Sequence, residues 1–268
     1  MAISIPILLT STILPHSTAG IYKIVQTEKQ RYRQYTEALE YLVRTKLFEN
    51  IIYADNSNSE FISDLHLLAK SFESKRLKIE VLNIPIENEA EVKGKGYGEG
   101  FLISQALGAS ELLQSNDSFF KLTGRYKLRN LKRILQIIEE GFINGPPIDF
   151  ICQGLQKFNG KVPIVSTAFF WSRVDIWRNF MMDAYNEVDD MGGWAFEAVL
   201  AEKIQSIISQ GYIVSKMPLP FIIDSKNTKN NVNFISSTEL RISLARSFFG
   251  HMFKPKKHLQ QLTESDFE

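Results

Sequence analysis

Apolar positions along the first half of the chain alternate between two periods. Residues 3–10 form a buried apolar run, residues 27–45 bring Tyr32, Tyr35, Leu39 and Leu42 near one helical face, and residues 51–54 form a second short apolar run. These read as strand, helix and strand. The pattern repeats, with a Ser-capped helix over 59–72, a strand over 77–84, a helix over 98–113 and a strand over 118–122. A further helix is expected over 130–141. Strands alternating with helices predict an α/β fold with a mostly parallel sheet covered by helices on both faces and right-handed crossovers.

After Gly145-Pro146-Pro147 the pattern becomes mixed. Strands are expected over 148–154 and 162–171, helical stretches over 174–185 and 193–210, and a strand over 212–217. Residues 237–253 are amphipathic, with Arg241, Arg246, Phe248, Phe249 and Phe253, and Lys254-Pro255-Lys256-Lys257 follows. Such a segment suits either a membrane surface or docking on the domain. Internal repeats and low-complexity runs are absent.

Composition changes this picture little. With 268 residues, 44% hydrophobic and 23% charged, the chain can bury a large core. Its formal net charge of +1 gives no general attraction to nucleic acid, so affinity for phosphate has to come from local clusters. A single cysteine, Cys152, excludes an internal disulfide framework and a cysteine-based zinc site, and points to a reducing, cytoplasmic setting. Residues 2–14 are apolar but lack a basic n-region and contain Pro6, which fits a first buried strand better than a signal peptide. No run reaches the roughly 18 apolar residues of a membrane span.

Two segments carry candidate chemistry. Lys93-Gly94-Lys95-Gly96-Tyr97-Gly98-Glu99-Gly100 opens a helical pattern, and Phe119-Phe120-Lys121-Leu122-Thr123-Gly124-Arg125-Tyr126 closes a strand. Alternating glycines ahead of a helix N-terminus can admit an anionic ligand to backbone N–H groups. Lys95, Lys121, Arg125 and the Tyr126 hydroxyl would add charge and hydrogen bonds. Thr10, Ser11 and Thr12 after the first strand, and Asp55, Asn56 and Ser57 after the second, extend one polar rim suited to a nucleoside. The same Asx and Ser residues equally suit turns after strands. G-x-G-x-x-G is not matched, because Glu99 takes the third glycine's place, and G-x-x-x-x-G-K-[ST] is absent. His16, His66, His251 and His258 are scattered without metal-ligand spacing.

In the second half, Asp189-Asp190-Met191-Gly192-Gly193-Trp194-Ala195-Phe196-Glu197 puts carboxylates on both sides of a glycine break. Glu197, in the first turns of a helix, is the first candidate for a general base, and Asp190 the second. Trp171 and Trp194 could offer apolar faces to a sugar ring, while Trp177 on an apolar helical face belongs to the core.

The rim residues, with Arg31 and Tyr35 on the first helix, resemble bacterial surface-polysaccharide glycosyltransferases of the GT-A type that use nucleotide-sugar donors. The resemblance spans about residues 3–225. It implies a GT-A-like, Rossmann-like sheet with a nucleotide-binding half at 1–145, a mixed acceptor and catalytic half at 146–236, and a basic amphipathic tail at 237–268. It further implies that Thr12, Arg31, Asp55, Asn56, Ser57, Lys95, Gly96, Glu99, Lys121, Gly124, Arg125 and Tyr126 bind the donor, and that Trp171 and Trp194 meet a glycan or lipid-linked acceptor. The expected location is cytoplasmic, at the inner face of the inner membrane, with membrane contact through the tail and no nucleic-acid partner. Most GT-A enzymes end the fourth strand with Asp-x-Asp on a Mn2+ or Mg2+ ion. Here Thr123-Gly124-Arg125 stands in that place and Asp117 lies ahead of the strand, which puts metal dependence in question. A non-catalytic nucleotide or phosphosugar binding protein would use the same rim without a base. A sugar nucleotidyltransferase fits less well, since a Gly-rich loop after the first strand is missing.

Overall fold

The computed structural model describes residues 2–14, 26–57, 59–86, 92–158, 162–190, 192–223 and 259–267. Seven strands form one sheet, β1 (Ile7–Ser11), β2 (Asn50–Asp55), β3 (Lys78–Asn83), β4 (Ser118–Thr123), β5 (Phe150–Cys152), β8 (Phe169–Arg173) and β9 (Val214–Lys216). A separate two-stranded antiparallel ribbon pairs β6 (Gln156–Phe158) with β7 (Val162–Ile164). The sheet order is β3-β2-β1-β4-β8-β5-β9. All its pairings are parallel except those of β8, which runs antiparallel to both β4 and β5.

Helices α1 (Glu28–Thr45), α2 (Ile62–Phe72), α3 (Lys95–Ala109), α4 (Glu111–Gln114) and α5 (Leu131–Asn144) follow the predicted alternation. α1 begins at a capping box, with Gln30 N donating to Thr27 Oγ1 at 3.2 Å and Thr27 N to Gln30 Oε1 at 2.9 Å. The predicted helix over 174–185 is instead a short α6 (Val174–Ile176), a π-turn (Trp177–Met181) and a 3-10 turn (Ala184–Glu187). α7 (Phe196–Ser209) completes the set. The expected strand over 162–171 is likewise divided, and residues 165–168 between β7 and β8 run free of any strand.

Because side chains alternate along a strand, the sheet separates two cores. Leu8, Ile52, Ala54, Phe119 and Phe170 face α3 and α7, together with Trp177, which is fully buried as expected. Ile7, Leu9, Ile51, Tyr53, Phe120, Phe169 and Trp171 face α1 and α5.

Residues 259–267 pack on the second half rather than standing apart from it. Lys216 N donates to Gln260 O at 2.7 Å and Leu262 N to Val214 O at 2.8 Å, while Leu262 and Phe267 are buried. The amphipathic stretch 237–253 lies outside the described residues. Among those described, no helix is long and apolar enough to cross a membrane.

Candidate functional site

The C-terminal ends of β1, β2 and β4 meet the N-terminus of α3 and the first turn of α7. Parallel pairing puts Ser11 beside Asp55 and Thr10 beside Thr123, so the polar residues that end these strands share one rim. Thr123 N donates to Ala168 O at 2.9 Å and Val165 N to Glu197 O at 3.0 Å. The segment 165–168 thereby ties β4 to α7.

The β1 and β2 ends are cross-linked by their own side chains. Asp55 is fully buried and accepts from Ser11 Oγ at 2.5 Å, Ile13 N at 3.1 Å, Ser57 N at 2.9 Å and the Ser57 hydroxyl. Asn56 Oδ1 accepts from Thr12 Oγ1 at 2.6 Å, and its Nδ2 donates to Gly98 O at 3.0 Å. Arg31 Nε and Nη2 both reach Thr12 O, at 2.8 and 2.6 Å, and Tyr35 OH accepts from Thr12 N at 3.2 Å. For Asp55 and Ser57 the donor-contact expectation is corrected: the carboxylate is saturated by internal donors, and both residues shape the rim from beneath.

The glycine cluster is also filled from within the chain. Gly94, at φ +98°, precedes α3 in a conformation that favours glycine. A Cβ there would lie 2.6 Å from Asp190 Cβ, and one on Gly96 would lie 2.8 Å from Asp190 Oδ1. Asp190 Oδ2 accepts the Gly96 amide at 2.7 Å. A carboxylate on unpaired N–H groups at the positive end of a helix is the favourable arrangement. Gly96 therefore holds Asp190, not the expected ligand. Asp190 sits in a turn whose base is closed by Asp189 N to Trp194 O at 2.9 Å and Trp194 N to Asp189 O at 2.8 Å. Trp194 is half-buried at that base.

Beneath the rim, Lys121 is fully buried on the α3 face of β4. Its ammonium donates to Glu99 Oε1, to Thr123 Oγ1 at 3.1 Å and to Thr167 O at 2.5 Å. Three protons meet three acceptors, so Lys121 has no donor left for a ligand, contrary to its expected role. Burial works to raise the Glu99 carboxyl, but Lys121 and Lys95 outweigh it and hold Glu99 below the usual range.

Two other cations have no such partner. Among the described residues no carboxylate lies within 4.0 Å of Lys95 or Arg125. Lys95 is the first residue of α3 and exposed. Although the residue as a whole is exposed, protein packed about its ammonium removes solvent and opposes the charge, yet Glu99 and Glu197 outweigh this and raise the ammonium above the ordinary value. Arg125 follows Gly124, whose amide donates to Thr10 O at 2.8 Å and where a Cβ would approach that same oxygen to 2.8 Å. The tight turn, closed by Tyr126 N to Thr123 O at 2.9 Å, sets the guanidinium 5.7 Å from the Tyr126 ring centroid. Against the effect of burial, Tyr35, Tyr126 and Glu99 raise the Arg125 value.

Glu197 lies in the first turn of α7, half-buried. Burial pushes its carboxyl up, the Glu99 charge adds to the effect, and Lys95 opposes it. Asp190 is also raised by burial, with the Gly96 N–H working against it. Thr167, which no motif marks, lies between the acids: its Oγ1 is 3.3 Å from Glu99 Oε2 and 3.4 Å from Glu197 Oε1.

The structure thus gathers Lys95, Glu99, Lys121, Arg125, Tyr126, Asp190 and Glu197 beside the rim of Thr12, Asn56 and Arg31. Trp171 is not among them. It pairs in register with Phe120, next to Lys121, and so points to the opposite face of the sheet. There its ring packs 4.8 Å from that of Phe142 in the core, which corrects the acceptor-contact expectation. No group of three or more His, Cys, Asp or Glu side chains among the described residues is arranged to hold a metal ion. Glu99 is engaged by Lys121 and Asp190 by α3, so these two described acids do not offer a divalent cation a ready ligand pair.

No family model matches the chain, and no curated protein does. Solved structures resemble it at low identity. A mannosyltransferase from Pyrobaculum calidifontis, in complex with GDP-Man and Mn2+, aligns over 80% of this chain and 54% of its own, with 10% identity and a TM-score of 0.46. This chain therefore spans about half of that protein's length. A cytidylyltransferase from Leptospira borgpetersenii aligns over 91% and 94%, with 14% identity and a TM-score of 0.46. The bifunctional glycosyltransferase WbbM, in its apo form, aligns over 81% and 39%, with 9% identity and a TM-score of 0.48. At these scores the strand order itself carries the fold class: an α/β protein with a seven-stranded, mostly parallel sheet.

Proposed function

We propose that the chain is a nucleotide-sugar-dependent glycosyltransferase of GT-A-like architecture whose donor diphosphate lies between Lys95 and Arg125. One observation carries this reading. Two cations with no carboxylate within 4.0 Å among the described residues, and one carboxylate raised above its ordinary value, converge at the ends of parallel strands, where open α/β sheets bind ligands.

In an inverting displacement, the acceptor hydroxyl oxygen attacks the anomeric carbon as the bond from that carbon to the diphosphate oxygen breaks. Glu197 takes the hydroxyl proton, and Lys95 and Arg125 receive the charge developing on the leaving diphosphate. Asp190 stays on α3 and Lys121 on Glu99, so neither enters the reaction. Thr12 and Asn56 line the nucleoside side of the rim, and Trp194 borders the acceptor side. The motif resemblance supplies the acceptor class, a glycan or lipid-linked glycan of a bacterial surface polysaccharide built at the cytoplasmic face of the inner membrane.

The test is thermal unfolding of the purified protein with UDP-, GDP-, CMP- and dTDP-sugars, each with EDTA and with added manganese. A donor at about 100 times its Kd stabilises the folded state by about 2.7 kcal/mol. Stabilisation by one nucleotide class, retained in EDTA, is expected. Absence of a shift with every donor, under both conditions, would overturn the proposal.

A further inference from the structure

Thr167 has no place in the chemistry described so far, yet it touches Lys121, Glu99 and Glu197. Its carbonyl accepts from Lys121 Nζ, and its hydroxyl stands between Glu99 and Glu197. The residue is buried, and its backbone segment is fastened to β4 through Ala168 and to α7 through Val165. Its hydroxyl is accordingly fixed in space by the elements that supply Lys121 and Glu197.

We propose that Thr167 is a positioning residue for Glu197, its hydroxyl giving that carboxyl a hydrogen-bond partner in both of its protonation states. The inference rests on the assignment of Glu197 as the base. A hydroxyl carries one proton and can also accept. While Glu197 is ionised, the Thr167 O–H points to Glu197 Oε1, because Glu99 is already neutralised by Lys121. Once Glu197 has taken the acceptor's proton, the Thr167 O–H turns to Glu99 Oε2, and Thr167 Oγ1 accepts from the new carboxylic acid. No proton leaves the threonine, and neither state of Glu197 loses its partner. The other charged groups acting on Glu197 are Lys95 and Glu99 from α3, Lys121 from β4 and Asp190 from its turn.

The experiment is a carbon-13 NMR titration of Glu197, assigned by the signal missing from Glu197→Gln, in wild type, Thr167→Val and Thr167→Ser. The valine keeps the shape and removes the hydrogen bond to the ionised form, so the Glu197 midpoint moves up. The serine variant titrates like wild type. With a donor that binds, kcat of the valine variant falls about 10- to 100-fold while the donor KM hardly changes, and the acid limb of the pH profile moves up with the NMR midpoint. An unmoved Glu197 midpoint in Thr167→Val overturns the proposal, and Thr167→Ala serves the same test if the valine variant does not fold. Failure of the underlying reading looks different: Glu197→Gln would then transfer sugar at the wild-type rate, whatever the titration shows.

Discussion

Asp190 Oδ2 accepts the amide of Gly96 at 2.7 Å across 94 residues of sequence, so the second half of the chain caps the helix that opens the glycine cluster. The glycines at 94 and 96 are small because a carboxylate lies where their side chains would be.

Gly96→Ala should therefore destabilise the protein by about 1–3 kcal/mol, the range for overpacking a filled site. Gly94→Ala should cost at least as much, since φ there is +98°. Gly108 in the same helix is exposed, with open space around the position a methyl group would take, and Gly108→Ala should stabilise by up to about 1 kcal/mol. Urea unfolding of the three variants reads the contrast, and equal losses at 96 and 108 would contradict it.

Removing Lys121 leaves Glu99 charged and enclosed. Lys121→Met should cost about 3–5 kcal/mol, and adding Glu99→Gln should restore much of that, because the penalty lies in the unpaired charge. A double-mutant cycle by chemical denaturation measures the coupling. Additive losses would mean the two side chains act independently.

Arg125→Ala should weaken donor binding about 10- to 100-fold, as expected for loss of hydrogen bonds to a charged ligand, with the melting temperature of the free protein nearly unchanged. Arg125→Lys should recover only part, because a lysine offers a point charge in place of a planar fork. Calorimetric titration with the donor found by thermal shift decides this.

Glu197→Gln should abolish most transfer, by about 10²–10⁴-fold, while donor affinity persists. Its effect on stability has a definite sign. Below the ordinary glutamate value of 4.5, Glu197 is protonated whether folded or unfolded. As pH rises from there through the higher folded value, the unfolded chain gives up the proton first, and wild type loses stability. Glu197→Gln should therefore unfold at higher denaturant than wild type at pH 7, with the gap closing in acid.

Much of the architecture could be read from local pattern. The apolar runs that became β1, β2, β3 and β4, and the periodic stretches that became α1, α2, α3 and α5, each carry their own signal. The site was legible as a set of residues more than as a set of roles. Lys95 lies near both Arg125 and Glu197, whereas Lys121 and Gly96 turn inward to partners far along the chain. Those partners, Glu99 and Asp190, were themselves visible as motif residues, but nothing local says which carboxylate meets which donor. Trp171 departs from its expected place for a simpler reason: period 2 and the antiparallel register of β8 put it on the face opposite Lys121, and β8 reverses direction only through tertiary pairing. Thr167 carried no signal, lying in a stretch that reads as continuous strand.

The pairing of residues 260–262 with β9 bears on how molecules of this protein treat one another. A terminal strand with open N–H and C=O groups is a template for a neighbour's strand. Here Gln260 O and Leu262 N occupy groups of β9 that would otherwise face outward. Loosening that short segment would turn a sealed margin into an adhesive one, and the first sign would be self-association at high concentration, ahead of any change in the chemistry at the ends of β1, β2 and β4.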